Sequence, residues 1–372
     1  MYDVIVVGAG PAGSVVAKRC AEYGLNTLIL EKKRLPRDKV CSGMLLRITE
    51  TLIRQEFGDI PEAVLCQPRS LLGSMLYVPG LGSQKVPIYN AVTWRRNLDY
   101  WMNQKAQAKG VAIWQGARVT GLSQKGSHFL VEMEKDKERR EVEARFLIGA
   151  DGATSIVRSL VFPDLKVNFQ QAYEELYQGE LELLDKKYYH SFRSVEDVLM
   201  RFGVHQKDNR IVIVVAGRVG DPMKKLMTAA KDFLAKNYDF DNGQTPVRKD
   251  ACVEPMIYSE LISHTFLPAK GNALLVGDAG GLINPVIGEG MSVGITSGIF
   301  AADAIISASK SGEQVDKAYL TMVENIISIF KETYPLAGKI AEELKRGGHS
   351  LLEVWGDVMS NVLRITSERL SR

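Results

Sequence analysis

Cysteine is scarce in this sequence of 372 residues, and its four cysteines lie far apart. Cys20, Cys41, Cys66 and Cys252 show none of the CxxC spacing that zinc sites and redox pairs use. A disulfide scaffold is not indicated either, because such scaffolds place many cysteines in a short chain. The five histidines are equally dispersed. We therefore expect no metal site.

A strong excess of one charge is also missing. The 47 Lys and Arg residues nearly balance the 44 Asp and Glu residues, and the net charge is +3. There is no basic stripe with interleaved aromatic residues, so we expect no nucleic-acid partner. No run of about 18 apolar residues occurs, so we expect no transmembrane helix. The composition is that of a soluble globular protein, and the length predicts two domains.

The first 31 residues contain the strongest pattern in the chain. Tyr2–Val7 is a short, β-branched apolar run, typical of a buried parallel strand. Gly8-Ala9-Gly10-Pro11-Ala12-Gly13 follows, and then Ser14–Tyr23 has the composition of a helix. Asn26–Leu30 is a second apolar strand, and Glu31 ends it. Strand, glycines, helix, strand and acid in this order are the pattern of a dinucleotide-binding βαβ unit.

Each glycine of this turn has a separate physical role. Gly8 permits the tight turn, Gly10 lets the backbone approach a pyrophosphate, and Gly13 lets the helix pack on the sheet. The amides at the start of the helix face the phosphates. Glu31 is placed to accept hydrogen bonds from both ribose hydroxyls, which disfavours a 2′-phosphate. The site therefore suits the ADP half of FAD or NAD. Its expected neighbours are Pro11, Ala12 and Lys32.

The remaining pattern divides the chain into further elements. Lys32–Val40 is a basic loop. Helices are predicted at Leu45–Phe57, Trp94–Lys109, Asp221–Asn237 (capped by Asp221) and Gly290–Ser309, with a helical remainder. Strands are predicted at Ser70–Val78, Gln84–Tyr89, Val111–Trp114, Ala117–Ser123, His128–Glu134, Arg140–Ala144, Phe146–Gly149, Glu174–Leu183, Val198–Val204, Arg210–Arg218, Ala251–Tyr258 and Asn272–Val276.

These elements predict an α/β protein with a Rossmann-type nucleotide-binding domain and an inserted, mostly antiparallel sheet domain. Residues 1–69, 90–161 and 267–320 form the first domain, 70–89 and 162–266 form the second, and 321–372 form a helical C-terminal segment. Because the first strand begins at Tyr2, we expect no signal peptide and a cytoplasmic location.

A second glycine-rich motif follows the strand that returns to the first domain. Gly277-Asp278 ends that strand in a carboxylate, and Gly288-Glu289-Gly290-Met291 precedes a helix. A carboxylate in this position can bind ribityl hydroxyls. Backbone amides at a helix start stabilise negative charge on a reduced isoalloxazine.

Together with Ala150-Asp151-Gly152, these motifs resemble the FAD-dependent oxidoreductases built like aromatic hydroxylases, and most of all the geranylgeranyl reductase family. The resemblance implies non-covalent FAD. It implies a pyrophosphate contact from Arg95 in Arg95-Arg96-Asn97-Leu98-Asp99, and a position beside the flavin ring for Cys41-Ser42-Gly43. Cys41 is the candidate catalytic residue. The other residues expected at the cofactor are Val119, Asp151, Gly152, Gly277, Asp278, Pro285, Gly288, Gly290 and Met291.

The sequence departs from this family in one segment. Prenyl reductases carry Tyr-x-Trp-x-Phe-Pro in the substrate domain, whereas Arg201–Lys207 occupies the equivalent place here. The Trp-x-Trp-x-Ile-Pro motif of flavin-dependent halogenases is also absent. We therefore expect a different substrate wall.

A stripe on the last predicted helix has two interpretations. Leu351, Trp355, Val358, Val362 and Ile365 share one face, with Lys and Arg elsewhere on the segment. The stripe either packs on the core or docks on a membrane surface, and the second case would place the protein at a membrane.

The resemblance predicts hydride transfer from reduced FAD to a carbon–carbon double bond of an apolar, isoprenoid or lipid-like substrate. Cys41, a tyrosine or water supplies the proton. One alternative is an FAD-dependent monooxygenase of a small aromatic substrate, and another is a flavin-bound binding or electron-carrier protein. No second GxGxxG module marks a site for NAD(P)H, so the electron donor is NAD(P)H or a ferredoxin-type redox partner.

Overall fold

In the computed structural model, which describes residues 1–194 and 201–371, the strands form two eight-stranded sheets. The first contains β1 (Tyr2–Val7), β2 (Thr27–Glu31), β6 (Ala112–Gln115), β7 (Ala117–Lys125), β8 (His128–Lys135), β9 (Glu138–Gly149), β15 (Ala269–Lys270) and β16 (Ala273–Leu275). The second contains β3 (Met44–Leu46), β4 (Leu65–Val78), β5 (Gly82–Thr93), β10 (Asn168–Gln178), β11 (Tyr188–Arg193), β12 (Arg201–Gln206), β13 (Arg210–Arg218) and β14 (Arg248–Met256). The α-helices in the described part of the chain are α1 (Pro11–Glu22), α2 (Arg47–Phe57), α3 (Arg95–Gln107), α4 (Ile156–Val161), α5 (Met223–Asn237), α6 (Tyr258–Ile262), α7 (Met291–Ser311), α8 (Val315–Lys345) and α9 (Leu351–Leu370).

The first sheet has the order β15-β16-β9-β1-β2-β6, with β7 and β8 continuing from β9. The central pairs are parallel: β1 pairs with β2 and β9, and β9 pairs with β16. Helices cover the parallel strands, and Val4 to Val7 are therefore buried. The predicted Rossmann-type βαβ unit is confirmed.

The second sheet has the order β14-β10-β13-β12-β11-β4-β5-β3 and is antiparallel except where β11 runs parallel to β4. One face packs on α5 through an apolar cluster that includes Tyr177, Phe192, Phe202, Ile213 and Leu234. The predicted inserted, mostly antiparallel sheet is confirmed. The pairing also places β3 and residues 90–93 in this sheet, and the domain boundaries themselves stay a prediction.

Predictions from local sequence patterns were wrong at several helix and strand ends. Leu45 and Leu46 belong to a strand because they pair with Ala91 and Asn90, and the helix begins at Arg47. Asp221 does not cap α5, since its carboxylate instead accepts from the Arg218 amide. The predicted strands Arg140–Ala144 and Phe146–Gly149 form the single strand β9, and β11 was missed. Of the predicted strand Val198–Val204, residues 198–200 lie outside the described part.

The apolar helix α7 lies in the core. A Cβ at Gly298 would come within 2.7 Å of the Ala12 carbonyl oxygen on α1, so the two helices touch backbone to backbone. By length and hydropathy α7 resembles a membrane span, but 72% of its most apolar window is buried inside the protein. It is explained as a core helix.

The C-terminal helix α9 crosses strands β4 and β5 of the second sheet. Leu351, Val358 and Val362 are buried, and a Cβ at Gly356 would meet the Gln84 side chain of β5. The Arg193 guanidinium lies 5.3 Å from the Trp355 ring. The apolar stripe therefore faces the protein, as the packing interpretation predicted.

Candidate functional site

The turn between β1 and α1 is too tight for any side chain at two of its glycines. Gly8 has a φ of +108°, and a Cβ there would overlap the Ala150 carbonyl oxygen. A Cβ at Gly13 would overlap the Gly8 carbonyl oxygen and lie 3.1 Å from the Ala150 Cβ. The first predicted motif and the segment Ala150-Asp151-Gly152 are thus in direct contact.

Helix α1 begins with an open N-terminus. Gly10 is its N-cap and Pro11 occupies the first turn, with neither a side-chain cap nor an acidic residue there. The first amides of a helix have no partner within the helix. The nearest group to a Cβ at Gly10 would be the Arg37 guanidinium, 3.8 Å away. This arrangement offers amides, a positive dipole end and a cation to an anionic group.

Glu31 lies beside the same turn and is 3% exposed. Its carboxylate accepts hydrogen bonds from the amides of Ala9 at 3.1 Å and Lys33 at 2.8 Å. Arg37 Nε also donates to it, at 3.2 Å. The acid predicted to bind ribose is therefore held next to Gly10. Arg37 was missed, because in the sequence it is one of several basic residues in a loop.

Arg95 lies close to this group but is paired internally. It donates to both oxygens of Asp99, at 2.7 and 2.9 Å, and Asp99 also accepts from Arg37 at 3.2 Å. Burial lowers the pKa of Arg95, but Asp99 and Cys41 outweigh burial and the pKa is raised. The guanidinium therefore stays charged between Asp99 and Cys41. Its predicted pyrophosphate contact stays a prediction.

Asp151 has a capping role. Its carboxylate accepts from the Ser155 hydroxyl at 2.6 Å and from the Ile156 amide at 2.7 Å, at the start of α4. Gly152, which follows it, has a φ of +82°. Arg158 donates to the carbonyl oxygens of Ala153, Asp278 and Ala279, so it joins this turn to the second motif.

The second motif meets the first at Gly277. A Cβ there would lie 3.4 Å from the Cβ of Ala12. The Asp278 carboxylate pairs with Lys39 at 3.2 Å, and a Cβ at Gly290 would lie 3.1 Å from Asp278 Oδ1. Asp278, Gly290 and the adjacent Met291 are therefore brought together at the start of α7.

The loop before α7 is shaped by Asn284 and Glu289. Asn284 Oδ1 accepts from the amides of Val286 and Ile287, so Pro285 lies inside a closed turn. Gly288 has a φ of +63°, and a Cβ there would lie 3.4 Å from the Glu254 carboxylate. Burial raises the pKa of Glu289, whose carboxylate accepts from the Ser292 amide at 2.7 Å.

Cys41, Ser42 and Gly43 form a segment that connects the first sheet's loops to the second sheet. The Gly43 amide donates to Cys41 Sγ at 3.4 Å. The Ser42 carbonyl accepts from Lys207 Nζ at 2.7 Å and from His205 Nε2 at 3.2 Å. A Cβ at Gly43 would overlap the Thr93 carbonyl oxygen, which explains the glycine there.

Lys207 and His205, which hold this segment, were not singled out from the sequence. Lys207 is 1% exposed, and its Nζ lies 3.9 Å from the centre of the Trp94 ring. Burial lowers the pKa of Lys207 and holds that of His205 well below its usual range. His205 is therefore neutral, with Nε2–H donating and Nδ1 buried without a partner. In the sequence, the one indication that His205 faces this segment was the alternation of apolar Phe202 and Val204 with Gly203 and His205.

Two predicted cofactor residues are not brought to these groups by any contact described above. Val119 is buried on β7 opposite Met133, and Lys32 is exposed beside Glu31. Their roles stay predictions.

The residues around Gly10 fit FAD by the chemistry of their donors. The uncapped amides of α1 and the Arg37 cation suit a pyrophosphate, and Glu31 suits a ribose. No group of His, Cys, Asp and Glu suited to a metal ion occurs among the described residues.

Comparison with known proteins agrees with this chemistry. The model of the FAD-binding domain family matches residues 1–219, more than half of the chain. A digeranylgeranylglycerophospholipid reductase from Methanosphaera stadtmanae is 27% identical over 355 residues, covering 91% of this chain and 84% of that protein. A geranylgeranyl diphosphate reductase from Rhodobacter capsulatus is 28% identical over 324 residues, covering 85% and 78%.

Among solved structures, a geranylgeranyl bacteriochlorophyll reductase-like protein from Thermoplasma acidophilum has the same fold. Its TM-score is 0.73 at 18% identity, and the match covers 98% of this chain and 99% of that one. The predicted resemblance to the geranylgeranyl reductase family is confirmed, and so is the predicted cofactor. The chain belongs to the FAD-binding domain family and is an FAD-dependent oxidoreductase.

Proposed function

We propose that this enzyme reduces carbon–carbon double bonds of an isoprenoid lipid. Two relatives that match most of the chain are named as reductases of geranylgeranyl compounds. Bound FAD would supply the hydride, and the protein would position the substrate and exclude water. The residues that would hold FAD are those around Gly10, Glu31 and Arg37, together with the turn at Asp278 and Gly290.

The proposal rests on the position of Cys41-Ser42-Gly43, which lies between the proposed FAD site and the second sheet. Arg95 lies near Cys41 on one side, and Lys207 and His205 donate to the Ser42 carbonyl from the other. A substrate placed against this segment would be near both the cofactor and the sheet. Rigid support of this kind keeps reacting groups within productive distance.

A second candidate is monooxygenation of a small aromatic substrate. It is favoured by the polar side chains on the sheet face toward Cys41. Glu174 lies there opposite Val214 on β13, and Gln170 donates to Glu254 at 2.5 Å. Burial raises the pKa of both Glu174 and Glu254. Buried carboxyl groups of this kind can accept a hydrogen bond from a phenol or amine.

Product analysis separates the two candidates. The dithionite-reduced holoenzyme is incubated without oxygen with geranylgeranyl diphosphate, and lipid products are examined by mass spectrometry. We expect products heavier by pairs of hydrogen atoms. A parallel incubation with labelled oxygen and a panel of phenols tests the alternative. Unchanged lipid together with labelled oxygen in a phenol product would contradict the reductase proposal.

The proposal also concerns how the enzyme takes up its lipid and which donor supplies the electrons. In the apolar stripe of α9, Leu351, Val358 and Val362 are buried, and the helix packs on α8 and on the second sheet. The stripe therefore does not support membrane docking through that face. The lipid would then be taken up by another route.

Electrons would come from NAD(P)H or from a ferredoxin-type partner. Reduction of the FAD by each donor can be followed directly by absorbance.

A further inference from the structure

The hydroxyl end of the Tyr189 side chain lies over Gly203 of the neighbouring strand. A Cβ at Gly203 would overlap the Tyr189 hydroxyl and lie only 2.6 Å from its Cζ. The phenol on β11 therefore fills the space that a side chain on β12 would occupy. Gly203 belongs to Arg201–Lys207, the segment in which the sequence departs from the prenyl reductase signature.

The sheet register places Tyr189 on the face toward Cys41. Phe192, Phe202 and Val204 belong to the apolar cluster beneath α5. Side chains alternate along a strand, so Tyr189 and Gly203 point to the opposite face. His205 shares that face and packs against Tyr189, with 5.3 Å between the ring centres and 32° between the ring planes. It donates to the Ser42 carbonyl.

The Tyr189 hydroxyl has no hydrogen-bond partner among the described residues, although the ring is partly buried. Burial raises the pKa of Tyr189, and the nearby Glu174 and Cys41 raise it further. The hydroxyl therefore stays protonated and remains a donor at all ordinary pH values. The hydroxyl is not fully buried, so it is open to an acceptor on a ligand placed against this face.

We propose that Tyr189 determines substrate specificity by donating a hydrogen bond to an oxygen atom of the lipid. This inference rests on the proposed function. It narrows the substrate class to isoprenoids that carry an accepting oxygen, such as a hydroxyl, ether or carbonyl, in the part that lies against the second sheet. Gly203 is the positioning residue, because only glycine leaves room for the phenol.

Binding of two probes tests the proposal without turnover. Geranylgeraniol and the C20 hydrocarbon that lacks its hydroxyl are titrated into oxidised holoenzyme, and the change in the flavin spectrum reports binding. For Tyr189→Phe we expect about fivefold weaker binding of geranylgeraniol, the effect of one lost hydrogen bond, and unchanged binding of the hydrocarbon. Tyr188→Phe is the matched control, since Tyr188 points to the other face and lies beside Lys85.

A second variant tests the same proposed hydrogen bond without removing the Tyr189 hydroxyl. Gly203→Ala should displace Tyr189 and produce the same selective loss for geranylgeraniol, with FAD content as the check on folding. Equal weakening of both probes in Tyr189→Phe, or no weakening of either, would overturn the inference while leaving the reductase proposal intact. If neither probe binds the unaltered enzyme, the proposed substrate class is wrong and this inference falls with it.

Discussion

Lys207 Nζ donates a hydrogen bond to the Ser42 carbonyl oxygen across 2.7 Å, and so joins the end of β12 to the Cys41-Ser42-Gly43 segment. The same ammonium donates to the Thr93 carbonyl at 3.3 Å and lies over the Trp94 ring. No carboxylate forms an ion pair with it in the described part of the chain. A buried cation held only by carbonyls and an aromatic ring fixes the position of this segment.

Lys207→Met should destabilise the protein. The side chain keeps its length, but the Ser42 and Thr93 carbonyls each lose the lysine donor, and Ser42 keeps only His205. The loss should cost about 1–3 kcal/mol in the free energy of unfolding. Urea denaturation followed by tryptophan fluorescence measures this. Lys186→Met removes an exposed lysine that pairs with Glu180 and should change stability little. Equal stability of the two variants would show that Lys207 does not hold the segment.

His205 should make stability depend on pH. Burial and the nearby Lys207 hold its folded-state pKa well below 6.5, so the folded state binds fewer protons than the unfolded state at acidic pH. Stability should therefore fall as the pH drops below about 6.5, by up to about 1.4 kcal/mol per pH unit. His205→Gln keeps an N–H donor for Ser42 and should remove this part of the slope. Parallel pH curves for the two proteins would contradict the assignment.

Gly10 and Gly13 should respond differently to alanine. At Gly13 a Cβ overlaps the Gly8 carbonyl, so Gly13→Ala should lower the free energy of unfolding of the apoprotein by about 1–3 kcal/mol. At Gly10 a Cβ meets only Arg37, so Gly10→Ala should leave the apoprotein unchanged and weaken FAD binding. Flavin fluorescence titration and thermal unfolding separate the two effects. Unchanged FAD affinity in Gly10→Ala would mean that the pyrophosphate does not approach this backbone.

Glu31→Gln should weaken FAD binding by about tenfold or more. Each hydrogen bond to a charged acceptor is worth roughly 1.5–3 kcal/mol, and the substitution keeps the size of the side chain while removing its charge. Glu22→Gln at the end of α1 is a suitable control, because Glu22 pairs with Lys18 and Lys109, away from the turn at Gly10. The dissociation constant can be measured by flavin fluorescence, and an unaltered value would show that Glu31 does not hold the ribose.

Local sequence was enough to predict the βαβ unit. Tyr2–Val7 and Thr27–Glu31 are continuous apolar runs, and Gly8, Gly10 and Gly13 fix the turn between them. The same reasoning placed β13 at its observed ends, because Arg210–Arg218 is bounded by turn residues. In the βαβ unit the two strands pair with each other, so interactions between residues close in sequence define it.

Pairing between residues that are distant in the sequence determines the features that could not be predicted from local patterns. Leu45 and Leu46 resemble a helix start but pair with β5 some 45 residues later. Lys207 reaches Ser42 across 165 residues, so no local pattern marks it. The role of Arg37 follows from its hydrogen bonds to Glu31 and Asp99, which lie on different elements of the fold.

Reduced FAD in this protein should deliver its hydride to an isoprenoid double bond. Anaerobic mixing of the dithionite-reduced holoenzyme with one equivalent of geranylgeranyl diphosphate tests it in a single turnover. We expect the absorbance of oxidised flavin to return as the lipid gains two hydrogen atoms, and the fully saturated C20 diphosphate to have no effect. Flavin that stays reduced while the lipid is bound and unchanged would contradict it.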